Sequence, residues 1–182
     1  MKAQKRSPAV ILIVISMLVI IMACSNPYQG EWKPVEGTFL SKFAKDVRPD
    51  NVLPEYPRPQ MVRDDWMNLN GLWEHAIRPR AQEPDSFDGK ILVPFPVEAA
   101  LSGVGKTVGA ENTLWYRRTF QIPADWKGRT IFLRFGAVDW ESAVWVNGRK
   151  LGSHRGGYDA FSFDITDVIK EDGPQEIILS TW

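Results

Sequence analysis

Cysteine is almost missing from this chain: there is one, Cys24, in 182 residues. A single thiol excludes an intramolecular disulfide and any thiolate metal cluster. Histidine is nearly as scarce, with His75 and His154 far apart in the sequence and at no metal-ligand spacing. Charge of one sign is also lacking. Lys plus Arg and Asp plus Glu both total 22, so nothing attracts a nucleic acid or an anionic membrane electrostatically. No long amphipathic helix can be drawn, and no apolar run reaches the roughly twenty residues that span a bilayer. No cofactor and no metal is implied. The expected partner is small or uncharged.

Tryptophan, by contrast, is abundant, with eight residues. Large aromatics dominate β-sandwich cores, and the same flat rings stack on the apolar faces of ligands. The first residues form a separate unit. "MKAQKRSPAVILIVISMLVIIMACSN" has a basic start, an apolar run of about fourteen residues from Val10, then a small residue and Cys24. This is the layout of an export signal. "IMAC", Ile21 to Cys24, resembles the lipobox of bacterial lipoproteins, in which the cysteine is acylated and becomes the first residue of the mature chain. The resemblance implies lipidation at Cys24 and an exported, membrane-anchored protein on the periplasmic or cell-surface side. Several acyl chains hold firmly where one holds weakly.

Three sections are therefore expected: a lipoprotein signal peptide over 1–23, an irregular tether over 24–51, and a domain over 52–182. The tether expectation rests on prolines, glycines and charges without a sustained period of two or 3.6. After it, turn signals recur at short intervals between apolar stretches, which points to an all-β domain. In "LWYRRTFQIP", Tyr116, Phe120 and Ile122 fall on one face, with Trp115, Arg117, Thr119 and Gln121 on the other. Ile131, Leu133 and Phe135 share a face of the next segment. "SAVWVNGRKLG" reads as a hairpin, because both central positions of a type I′ turn need positive φ, which Asn147 and Gly148 tolerate. Phe161, Phe163 and Ile165 alternate with Ser162 and Asp164, and one helical turn capped by Thr166 or Asp167 is expected after them. "QEIILSTW" is the last strand, and with no turn or polar tail after it the domain is expected to be truncated there. From Val52 onward the length suits one sandwich core.

Five segments carry a resemblance by their order: "WMNLNGLWEHAI", "ILVPFPVEAALSGV", "LWYRRTFQIP", "IFLRFGAVDWESAVWVNGRKLGSHRGGYDAFSFDIT" and "EIILSTW". Together they are similar to the amino-terminal sugar-binding domain of glycoside hydrolase family 2, which holds β-galactosidases, β-glucuronidases and β-mannosidases. The resemblance covers Glu55 to Trp182. It implies a galactose-binding-domain-like jelly-roll β-sandwich, followed in the parent protein by an immunoglobulin-like domain and a catalytic (β/α)₈ barrel. It also implies an oligosaccharide or glycoside as ligand and the barrel as a partner. The family's catalytic glutamates lie in the barrel, and no position here corresponds to either. No catalytic residue is carried over.

The chain's own carboxylates offer one pair, Asp139 and Glu141, which share a face if strand-borne. Glycoside cleavage needs two carboxyl groups with divergent pKa values, and no desolvating segment surrounds these. "SGVGKT", Ser102 to Thr107, has one residue where a phosphate loop has four between its glycine and Gly-Lys. For sugar contact the candidates are Glu98 and Ser102 in the long connection "VPFPVEAALSGVGKTVGAENT", Trp140 in "AVDWES", and His154, Arg155, Tyr158 and Asp159 in "GSHRGGYDAF". Each has a second reading. Ser102 and Glu98 also suit a loop brace, and His154, Tyr158 and Asp159 suit hydrogen bonding of a crossover whose backbone Gly156 and Gly157 make possible. A stand-alone carbohydrate-binding lipoprotein and a purely structural domain are the alternatives to an enzyme fragment.

Overall fold

The computed structural model describes residues 32–54 and 63–182. The lipobox and Cys24 lie outside these residues. No described helix is long and apolar enough to cross a membrane. The domain is all-β: eight strands and several short 3-10 turns, without an α-helix among the described residues.

Six strands make one antiparallel sheet in the order β2-β1-β3-β8-β5-β6. They are β1 (Gly71–Pro79), β2 (Gly89–Val93), β3 (Asn112–Phe120), β5 (Glu141–Val146), β6 (Arg149–Arg155) and β8 (Gln175–Thr181). The remaining two, β4 (Phe132–Phe135) and β7 (Phe161–Asp164), pair with each other and form the second layer. The chain crosses between layers after β3, β4, β6 and β7, and β8 returns to the centre of the large sheet between β3 and β5. The result is a sandwich of two unequal sheets.

Its core follows the alternation in the sequence. Leu114 of β3 is buried, with Tyr116, Phe120 and Ile122 packed against the core on the same side. Val144 and Val146 of β5 and Ile177 and Leu179 of β8 are neighbours by register and buried on that face. From the small layer, Ile131, Leu133 and Ile165 meet them. The opposite face of β3 is also apolar in part: Trp115, 7% exposed, lies 5.6 Å from the ring of Trp145. Beside that pair, Glu74 of β1 bridges Arg117 of β3 and Lys90 of β2.

Asn147 and Gly148 connect β5 to β6 with φ of 51° and 80°, the two positive values a type I′ turn requires. The single turn after β7 is a 3-10 turn over Thr166–Val168. Its hydroxyl and carboxylate chemistry differs from expectation. Its N-cap is Ile165, with no side-chain cap by Thr166 or Asp167, and the carboxylate of Asp164 accepts from the backbone N and Oγ1 of Thr166 as the chain enters the turn. Asp164 suits this because its strand ends there and its side chain reaches forward over the turn.

Over 32–51, the described part of the expected tether, the chain packs against the domain. It is irregular apart from a 3-10 turn over Ala44–Asp46, but the compact unit begins at Trp32. Val35 N donates to Ala100 O at 2.9 Å, and Ala44 and Val52 are 7% and 6% exposed. Irregular backbone of this kind is held by contacts with distant residues, which a local period does not reveal.

Candidate functional site

Two loops meet at one end of the sandwich: 136–140, between β4 and β5, and 156–160, between β6 and β7. Gly156 N donates to Trp140 O at 2.9 Å and joins them. The glycines at 156 and 157 are needed for this approach. Gly156 has φ 137°, and a Cβ on Gly157 would lie 2.5 Å from Asp139 Oδ1. Thr181 Oγ1 of β8 donates to Asp139 O at 2.6 Å and secures the first loop from beneath.

Trp140 is 43% exposed at this junction. Its ring lies 6.1 Å from that of Trp182, and the Arg155 guanidinium sits 5.9 Å above it. Arg155 Nη2 donates to Glu141 Oε1 at 2.9 Å, across the β5–β6 register that pairs these residues. Trp182 is itself fixed on three sides. Its backbone exchanges hydrogen bonds with Glu141, its indole Nε1 donates to Ala110 O at 2.5 Å, and Arg80 covers its ring at 3.2 Å. Two adjacent indoles tilted by 50°, Trp182 and Trp140, are therefore flanked by a cation on each side, Arg80 and Arg155, at the sheet end.

The rest of the second loop divides into a buried and an exposed part. His154 stacks on Phe161 at 4.2 Å and 17°, and its Nε2 is buried without a partner among the described residues. Tyr158 is 98% exposed. Asp159 points back toward Gly156, with Oδ2 3.3 Å from where a Cβ would stand. Arg155 thus sits beside Trp140, while Tyr158 and Asp159 belong to the loop that Gly156 joins to it. His154 holds the loop to the small sheet.

Glu98 and Ser102 separate from one another. Ser102 is fully buried; its Oγ donates to Val97 O at 3.0 Å and accepts from Val104 N at 3.0 Å and Gly105 N at 3.4 Å. All of its hydrogen-bonding capacity is used inside the connection, so the bracing reading describes it. Glu98 is exposed and lines the cleft between the sheets, as Trp140 does. Tyr116 lies near it: burial, with the Glu98 charge adding to it, pushes the Tyr116 hydroxyl well above its usual pKa. The two candidate loops therefore contribute Glu98 and Trp140 to one cleft, with His154, Arg155, Tyr158 and Asp159 outside its walls.

Among the described residues, Asp139 and Glu141 form no comparable assembly. Glu141 is bound to Arg155 and Asp139 rests against Gly157 at an exposed position. Among the described residues no group of three or more His, Cys, Asp or Glu side chains gathers as a metal site. Sequence reasoning missed Arg80 and Trp182 as members of the site. Arg80 follows β1 directly and carried no motif; the final tryptophan stood only as the end of a strand.

A jelly-roll-like sandwich bearing an exposed indole and polar loop residues at one end defines a carbohydrate-binding type of domain. The family profile described as "Glycosyl hydrolases family 2, sugar binding domain" matches residues 90–180, and the chain belongs to that family. A putative beta-glucuronidase of Formosa agariphila is 38% identical over 159 residues, covering 84% of this chain and 13% of that protein. A beta-glucuronidase of Paenibacillus borealis is 29% identical over 120 residues, 62% of this chain and 20% of the relative. A beta-galactosidase of Thermoanaerobacter pseudethanolicus is 43% identical over 56 residues, 31% of this chain and 8% of the relative. The chain thus spans a fifth or less of the length of these relatives. Among solved structures, the beta-glucuronidase of Ruminococcus gnavus in complex with D-glucaro 1,5-lactone superposes with a TM-score of 0.55 at 22% identity, covering 65% of this chain and 22% of that one. That likeness is one of fold.

Proposed function

We propose that this chain is the amino-terminal carbohydrate-contacting part of an exported β-glycosidase that hydrolyses β-glucuronides. The identity of 38% with a putative beta-glucuronidase, across most of this chain, carries the reading. The reaction belongs to a catalytic barrel elsewhere in the parent protein, where a carboxylic acid protonates the leaving group and a carboxylate attacks the sugar. The residues described here supply a stable wall. Trp140 offers an apolar face to a sugar ring or an aryl aglycone, with Tyr158, Arg155, Asp159 and Glu98 as hydroxyl partners. Ser102 and His154 keep the two loops in place. The layout of the first residues supports export and acylation at Cys24.

Hydrolysis of an aryl β-D-glucuronide by the complete gene product, faster than of the matching galactoside or mannoside, is the expected result. The 182-residue chain alone should be inactive on all three. A complete product that cleaved none of them would leave a carbohydrate-binding module without a reaction. Incorporation of radiolabelled palmitate, abolished by Cys24→Ala, tests the anchor.

A further inference from the structure

The segment 32–53 is pinned to the domain at both ends and stands away from it in the middle. At the first end Val35 N donates to Ala100 O at 2.9 Å, and the side chains of Trp32 and Val35 lie against Gly103 and Gly105, 2.9 Å from where a Cβ would stand on each. At the second, Pro49 O closes on Gly71, and the side-chain amides of Asn70 and Asn68 donate to Val52 O and Leu53 O. Between the two, residues 36–43 are all exposed. Thr38 Oγ1 donates to Val35 O where the chain departs, and the turn over Ala44–Asp46 buries Ala44 while leaving Phe43 outside. Phe39 is fully exposed, Phe43 66% and Leu40 46%. None of these three lines the cleft between the sheets.

Large apolar side chains gathered at the surface mark a contact. Lysine distinguishes the candidate occupants. Lys42 Nζ stands 5.1 Å from the centre of the Phe43 ring, and Lys45 follows in the adjoining turn. The centres of protein interfaces are depleted in lysine, because its ammonium group loses water there. A second copy meeting three side chains would also bury well under the roughly 800 Å² per partner of a stable association. The boundary of a lipid bilayer accepts both kinds of group: rings and aliphatic chains enter among the acyl chains, and lysine stems lie along them with the charge at the phosphates. Glu36 and Asp46 border the patch, and Asp50 is bridged to Arg48. With no net charge on the chain as a whole, apolar insertion carries such a contact and the two lysines add to it locally. A bilayer is within reach. Cys24 precedes Phe39 by 15 positions, at most about 50 Å of extended chain.

We propose that Phe39, Leu40 and Phe43 insert into the surface of a phospholipid bilayer, with Lys42 and Lys45 at its headgroups, so that the domain lies against the membrane. The inference rests on the export and acylation proposed above for bringing a bilayer near, but the contact itself is made by residues 39–45.

The test uses the complete gene product, secreted through a cleavable leader as a chain that begins at Ser25 and carries no acyl group. Vesicles of phosphatidylethanolamine with phosphatidylglycerol should sediment it and should slow hydrogen exchange of amides 38–43. The triple variant Phe39→Ser, Leu40→Ser, Phe43→Ser should partition at least about tenfold more weakly, with its circular dichroism and thermal midpoint unchanged because all three side chains are exposed. Lys42→Gln combined with Lys45→Gln should weaken partitioning several-fold on these vesicles and leave it unchanged on phosphatidylcholine. Equal sedimentation of the triple variant overturns the proposal. So does exchange at 38–43 that vesicles leave unaltered, a measurement that needs no variant to fold. Slow exchange there in the lipid-free monomer would assign the patch to another domain of the parent, and self-association abolished by the triple substitution would assign it to a second copy; either overturns the proposal. Palmitate labelling of the unaltered product decides the anchor separately: no label at Cys24, beside vesicle binding through 39–43, would remove acylation and keep the patch.

Discussion

The side-chain amide of Asn147 donates to Oε1 of Gln175 at 2.7 Å, across 28 positions of sequence. The same Asn147 amide donates to Val168 O, and its Oδ1 accepts from Glu176 N at 2.9 Å. Gln175, 2% exposed, completes the junction by donating to Lys170 O and Gly173 O. A hairpin turn thus doubles as the clamp that sets β8 beside β5.

Asn147 therefore serves two separable purposes, turn geometry and clamping. Asn147→Gly keeps positive φ and loses the side-chain bonds, which should cost about 1–3 kcal/mol. Asn147→Ala adds left-handed strain of roughly 1–2 kcal/mol. Urea denaturation of the two variants should show the alanine form as the less stable; equal stabilities would mean the turn carries no strain.

Ser102→Ala removes a hydroxyl that satisfies one carbonyl and two amides in a buried connection. A loss of about 1–3 kcal/mol is expected, because those groups are left without water. The Michaelis constant of the folded complete enzyme should not change. A Ser102→Ala enzyme with normal stability and weakened substrate binding would place this serine at the ligand instead.

Trp140→Ala and Tyr158→Ala remove exposed rings, so little stability is at stake. The expected effect is on contact with the ligand: a Michaelis constant for an aryl glucuronide raised several-fold, from a stacking interaction of about 0.5–1.5 kcal/mol, with turnover unchanged. Steady-state kinetics of the complete enzyme would measure it. Unaltered kinetics in both variants would remove these rings from the substrate wall.

His75 titrates below its ordinary value of 6.5, chiefly because burial disfavours the imidazolium; Lys106 adds to this, against Gly89 and Asp88. The unfolded chain then binds the extra proton more readily than the folded one. Stability associated with neutral His75 is full above pH 6.5 and is lost as pH falls through the lower folded pKa. Midpoints of thermal unfolding between pH 7.5 and 5 should fall less in His75→Gln than in the unaltered chain. Parallel curves would show that another group governs this window.

Much of the strand pattern was legible because a strand's two faces are written two residues apart. Tyr116 and Phe120 lie on the core side and Trp115 on the other, as their alternation required. The Asn147-Gly148 turn was equally local. Residues 32–51 were harder, since the Val35 amide is held by Ala100 O, far outside its own segment. Of the candidate site, Trp140 and the 154–159 loop were recognisable by composition. Burial separated Ser102 from them, and Arg80 and Trp182 had no local signal at all.

Alternation and turn residues were enough to indicate an all-β domain, because each depends on contacts within a few residues, and a single cysteine excludes an intramolecular disulfide. The placement of β8 between β3 and β5, the unequal size of the two sheets, and the gathering of Arg80, Trp182, Trp140 and Arg155 arose only in the folded chain. Each joins residues tens of positions apart, and the free energy of closing such loops varies too slowly with length to select one pairing; packing in three dimensions makes that selection.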